Sequence, residues 1–321
     1  MVLDSNRFVL ASFSLLCALI CFAWHPARAG EITAPPQPKT GPGGTDYKHA
    51  SVKQSSFGEG NTQYWIFEPA DPAPALAPVI VFCHGWSAMN PIAYKFWIEH
   101  LVRHGNIVIY PRYQASVLTM PKIFTISAIE ALKDAFEQLK KEPHTKPDLD
   151  RVATVGHSFG GVVCANLAAL AHDNGLPKIR AVMCAEPGTG GFSAYEDYAS
   201  IPADTLLLCI AGADDRVVGE KDARRIYREA NKIKNADKNL ILMNSDKHGK
   251  PENIADHFAP NRQGQPLQTY GLWKWLDALT DAAFYQKNRQ YALGNTPEQR
   301  CMGKWSDGTP VNEPKIIIDE P

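Results

Sequence analysis

The sequence predicts an α/β domain, doubly wound, with a mostly parallel sheet covered by helices on both faces and no large cap domain. Three observations predict it. Short continuous apolar runs, such as Val79-Ile80-Val81-Phe82-Cys83, alternate with helical stretches, the pattern of strands buried on both faces. A β-branched run from Arg151 to Val155 feeds Gly156-His157-Ser158-Phe159-Gly160-Gly161, and a small-residue helix-forming run from Val162 to Leu170 leaves it. The chain beyond residue 29 is about 290 residues long, enough for one large core.

Taken in order, residues 1–29 read as a secretory signal peptide. Arg7 precedes an apolar run from Phe8 to Trp24, and Ala27-Arg28-Ala29 before Gly30 has the form of a signal-peptidase site. The run is about 17 residues, short for a membrane span. The expected product is therefore secreted or periplasmic, with no stable membrane insertion after cleavage. Residues 30–45, with Ala34-Pro35-Pro36-Gln37-Pro38 and Gly41-Pro42-Gly43-Gly44, read as an extended, mobile Pro/Gly-rich linker.

The catalytic domain is expected over 46–284. Antiparallel strands are predicted at about 47–54 and 63–68, with Gly58-Glu59-Gly60-Asn61 as turn material. Then come a strand at 79–83, a helix at 92–104, a strand at 106–110 and a helix at 126–141. After the Ser158 unit, strands are predicted near 181–185 and 205–211, a polar-faced helix at 220–234, a last strand at 239–243 and a closing helix at 268–283. Residues 285–321 are rich in turn formers and read as an irregular tail packed on the domain.

Charge and cysteine exclude several classes. The chain has 33 basic and 34 acidic residues, and no basic run, so nucleic acid is not an expected partner. Cys83, Cys164, Cys184 and Cys209 sit in apolar runs, where cysteine behaves as a small hydrophobe. With Cys301 they make an odd set without framework spacing, so free thiols are expected. No C-x-x-C or H-E-x-x-H occurs, and no metal or cofactor is implied.

The chemistry centres on Ser158. Gly-x-Ser-x-Gly between strand and helix is a nucleophile elbow, whose flanking glycines leave room for a strained turn. The Phe159 amide, at the helix N-terminus, is one candidate oxyanion donor. Trp86, in His84-Gly85-Trp86 after the 79–83 strand, is the second. An acid is expected after a later strand. Gly212-Ala213-Asp214-Asp215-Arg216-Val217-Val218 offers two, of which Asp215 is favoured and Asp214 is the alternative; Glu186 is a remoter candidate. The base must follow the last strand, which leaves His248 and His257 open; His157 and His84 precede the acid and read as scaffold.

Over roughly 63–284 these motifs resemble the α/β-hydrolase superfamily. Within it the chain is similar to the cutinase, polyester-hydrolase, chlorophyllase and platelet-activating-factor-acetylhydrolase-like group. Gly-His-Ser-Phe-Gly-Gly resembles the elbow of that group, and His257-Phe258-Ala259-Pro260-Asn261 resembles the segment around the catalytic histidine of bacterial cutinases. The resemblance therefore favours His257 as base and implies a serine esterase with catalytic Ser158, Asp215 and His257. Its expected partner is a small or polymeric ester substrate. A peptidase or amidase on the same triad, and an inactive hydrolase fold used for binding, are the alternatives.

Overall fold

The computed structural model describes residues 30–141 and 143–319, so the signal-peptide reading lies outside the described residues. The apolar runs become strands β1 (Ser51–Phe57), β2 (Tyr64–Ala70), β3 (Leu76–Cys83), β4 (Ile107–Pro111), β5 (Lys146–His157), β6 (Ile179–Ala185), β7 (Leu206–Gly212), β8 (Lys238–Met243) and β9 (Lys315–Ile317). They form one sheet in the order β1-β2-β4-β3-β5-β6-β7-β8-β9. Strands β3 to β8 run parallel, while β1, β2 and β9 pair antiparallel to their neighbours.

Alternation along the strands builds two cores. On β3, Val79, Val81 and Cys83 face one cluster, whereas Ile80 and Phe82 face the other. Helices α2 (Phe124–Gln138), α3 (Phe159–Leu170) and α4 (Lys221–Glu229) cover the first face. Helices α1 (Lys95–Arg103) and α5 (Lys274–Tyr285) cover the second, α5 being led in by a π-helical turn at Leu267–Trp273. Each fully buried Leu, Ile or Val side chain contributes about 1.5–3 kcal/mol. The four core cysteines are buried free thiols, with Cys164 and Cys184 Sγ atoms 3.6 Å apart.

Three expectations are corrected. Helix α4 stops at Glu229 rather than near 234, because the Lys238 ammonium donates to the Tyr227 and Ala230 carbonyls (2.8 and 3.0 Å) and closes the helix end. Residues 32–45 are extended but tied down. Ala34 donates to the Lys250 carbonyl (3.0 Å), Gln37 holds the Gly43 and Gly44 carbonyls (2.9 and 3.0 Å), and Gly43 N–H donates to Asp277 Oδ2 (2.8 Å). The tail is not wholly irregular: it carries the short helix α6 (Pro297–Arg300), capped by Thr296, and strand β9, which pairs Ile317 with Leu240 and Lys315 with Leu242.

The registers position the site. Cys83 lies beside Gly156, His157 beside Ala185, and Ala185 beside Ile210. The loops leaving β3, β5, β6 and β7 therefore emerge side by side at the carboxyl edge, where ligands bind in open parallel sheets.

Candidate active site

Ser158 stands at the tip of the turn between β5 and α3, with φ +56° and ψ −126°, a strained conformation for a residue with a side chain. Three bonds hold it there. Its N–H donates to the Ala185 carbonyl (3.0 Å), and its own carbonyl accepts from Gly161 and Gly188 (2.9 and 3.2 Å). The flanking glycines are obligatory: a Cβ at Gly156 would lie 2.0 Å from the Gly160 carbonyl oxygen, and one at Gly160 would lie 2.2 Å from that of Cys83.

Ser158 Oγ is 2.9 Å from His257 Nε2, and His257 Nδ1 is 2.8 Å from Asp215 Oδ2. The second Asp215 oxygen accepts from the Val217 and Val218 amides at 2.8 and 3.0 Å. Burial pushes the Asp215 carboxyl up. The hydrogen bonds from His257, Val218 and Val217 outweigh it and hold the group below its ordinary range, so it stays ionised beside the imidazole.

The Phe159 amide opens α3 and the Trp86 amide follows β3. Among the described residues neither finds a protein acceptor, which leaves both free for a developing oxyanion. The Trp86 loop is fixed from both sides: Gly85 N–H donates to Tyr94 Oη (3.0 Å) and Ser87 N–H to Gln114 Oε1 (2.8 Å). A cleft of about 400 Å³ over Ser158 is lined by Trp86, Tyr94, His157, Val217, His257 and Phe258, among others.

The Chlorophyllase family model matches residues 42–200, about half of the chain. That span carries Trp86, Ser158, Phe159 and Glu186 and ends before Asp215 and His257. The strand order and the elbow agree with the match. The chain belongs to the α/β-hydrolase superfamily. A search of the curated proteins found no match.

On this α/β-hydrolase frame the other candidate residues separate cleanly. His248 is turned away, with Nε2 2.7 Å from Asp307 in the tail and its N–H bonded to Asp246. Asp214 is exposed and accepts from the Ser245 hydroxyl. His84 is buried, stacked on Tyr113 at 4.1 Å, and burial pushes its imidazole down to about 4.

His157 is more than scaffold. Its Nε2–H donates to the His257 carbonyl (2.8 Å), and its Nδ1 accepts from Tyr94 O–H (2.8 Å). Burial and then the neighbouring His257 charge push it down to about 3, so it stays neutral. The line Gly85–Tyr94–His157–His257 thus ties the Trp86 loop to His257. Sequence reasoning missed Tyr94, because only the fold brings its hydroxyl to the elbow.

The rim is apolar. Phe192 stacks on Trp86 at 5.9 Å with planes 6° apart, and both are exposed. Val217 and Phe258, which line the cleft, are also exposed, as is Leu118 on the loop after β4. Among the described residues His100, His104 and Asp277 converge on the α1/α5 side closely enough to share an ion. His157, Glu186 and His257 lie as close, but His157 Nε2 carries the proton it donates to the His257 carbonyl and has no lone pair to offer. No helix among the described residues is long and apolar enough to cross a membrane.

Proposed function

We propose that this chain is an exported serine esterase that cleaves carboxylic esters through an acyl-enzyme intermediate. The observation that carries the reading is the unbroken line from Ser158 Oγ through His257 to Asp215, at 2.9 and 2.8 Å. Similarity to the Chlorophyllase family supports hydrolysis as the reaction.

Ser158 Oγ attacks the ester carbonyl carbon while His257 Nε2 takes its proton, and ionised Asp215 offsets the imidazolium. The Trp86 and Phe159 amides donate to the oxygen that becomes negative. Collapse of the tetrahedral adduct breaks the bond to the alcohol, and His257 returns the proton to the leaving oxygen. Water then attacks the acyl-enzyme with His257 as base, releasing the acid and restoring Ser158.

The exposed apolar rim around Trp86 and Phe192 supports an ester with a bulky apolar acyl or alcohol group. Export is supported by Arg7, the apolar run after it and Ala27-Arg28-Ala29. The test is a panel of nitrophenyl esters of increasing chain length with an aminoacyl anilide alongside, together with a fluorophosphonate probe. Labelling at Ser158 with turnover that rises along the ester series supports the reading. Turnover of the anilide alone would replace it with a peptidase, and absence of labelling would remove it.

A further inference from the structure

One buried carboxyl at the site has no part in these steps. Glu186 directly follows β6, is 0% exposed, and has φ +47°, a conformation rare for a residue with a side chain. Its N–H donates to the Ile210 carbonyl at 2.7 Å, but neither carboxyl oxygen has a hydrogen-bond partner. Buried polar groups are nearly always paired, so an orphan carboxyl calls for an explanation. The neighbouring backbone makes room for it: a Cβ at Gly212 would lie 2.7 Å from Glu186 Oε1.

The groups facing Glu186 come from every loop of the site. His157 of the elbow presents Nε2 at 3.7 Å, and a ring nitrogen of His257 lies within 4.8 Å. Asp215 from the loop after β7, Asp256 and Arg262 from the loop after β8, and the Tyr94 phenol are the other ionisable neighbours. Burial pushes the carboxyl well up, the negative charges of Asp215 and Asp256 add to that, and Arg262 opposes them. Glu186 therefore keeps its proton while Asp215 is ionised, first because burial penalises its charge and then because two carboxylates around one imidazole repel.

We propose that Glu186 is a second acid for His257, held in reserve behind Asp215. The inference rests on the reading of Ser158 and His257 as nucleophile and base. Without the Asp215 carboxylate one of the two like charges on Glu186 is gone while Arg262 remains, so that as pH rises its proton passes to solvent and a side-chain rotation brings the carboxylate to His257. There it accepts the imidazole N–H and offsets the imidazolium formed when Ser158 gives up its proton. Glu186 acts through His257, so it is a positioning residue.

The experiment compares Glu186→Gln, Asp215→Ala and the double variant by the rate of fluorophosphonate labelling at Ser158 and by kcat on a nitrophenyl ester across pH. Glu186→Gln is expected to lower the labelling rate less than about tenfold when Asp215 is present and about 100-fold or more when it is absent, a non-additive pair. Asp215→Ala should show an acid limb in its pH profile that disappears in the double variant. Glu186→Asp in the Asp215→Ala background, shorter by one methylene, should fall between the two, and serves if the Gln variants do not fold. Equal losses in both backgrounds with an unmoved pH profile would overturn the inference while leaving the esterase reading intact. A wild-type protein that is never labelled would overturn both, and labelling without ester turnover would displace only the substrate.

Discussion

The carboxyl edge of the sheet and the C-terminal tail are both built from loops, but they treat polar groups in opposite ways. At the edge, Ser158 and Glu186 sit at positive φ, the Glu186 oxygens are unpaired, and the Trp86 and Phe159 amides are open. In the tail nearly every buried polar group is answered. Lys274 Nζ donates to the Glu298, Gln299 and Cys301 carbonyls at 2.9, 3.0 and 2.7 Å. Asp246 accepts from Trp305 Nε1, the Asn312 amide and the His248 amide at 3.0, 2.9 and 3.0 Å. The contrast teaches where stability is given up. Among the described residues no buried side-chain polar atom without a partner lies beyond residue 285, whereas both oxygens of Glu186 lack one at the edge where chemistry is proposed.

The largest effect expected is at the edge. Ser158→Ala should lower kcat by about 10⁴-fold or more with no loss of fold, measured on a nitrophenyl ester beside thermal unfolding. Near-normal turnover would break the contrast at its centre. Next, His257→Ala should fall by a similar factor in kcat, whereas His248→Ala should lose less than about tenfold, since its contact is with Asp307 in the tail. A dead His248 variant with an active His257 variant would transfer the chemistry to the wrong region.

In the tail the readout is stability. Asp246→Ala leaves the buried Trp305 indole N–H without an acceptor and releases the part-buried His248 and Asn312 amides. One buried unpaired group costs about 1–3 kcal/mol, so unfolding should become easier by about that much. The kcat of the folded fraction should hold, as urea titration followed by assay can check.

The two regions should also respond to pH with opposite sign. Burial pushes Asp246 up, but its three hydrogen bonds hold it below the ordinary range. Its contribution is present above the unfolded carboxylate value, about 3.9, and is lost as pH falls through the lower folded value. Glu186 is raised, so its unfolded form ionises first and wild-type stability falls as pH climbs above about 4.3. The stability of Glu186→Gln relative to wild type should therefore increase with pH, by up to about 1.4 kcal/mol per unit until the folded carboxyl ionises. Parallel unfolding curves from pH 4 to 8 would contradict a neutral Glu186. The smallest effect is chemical: alkylation of the unreduced, denatured protein should find Cys83, Cys164, Cys184 and Cys209 all free.

How far the sequence could be read follows the same division. The elbow was legible because its demands are local: glycines at 156 and 160, a strand before and a helix after. Asp215 was legible from its place after an apolar strand, although Asp214 beside it was equally good turn chemistry until the Ser245 contact separated them. His257 and His248 could not be divided by position, since what removes His248 is a carboxylate 59 residues further on. The 32–45 segment has linker composition, yet its anchor is Asp277, which no local pattern announces. Strand β9 is three residues long and is a strand only because β8 lies beside it.

That short strand has a consequence for how the molecule behaves in company. Pairing with β9 covers the outer edge of β8 from Leu240 to Leu242, three successive apolar residues. A molecule trimmed after Val311 would keep both cores' helices and all of Ser158, Asp215 and His257, but it would expose an unpaired apolar flank that another copy could extend. Its defect would be one of concentration rather than of catalysis: dilute samples would still turn over, and concentrated ones would scatter light.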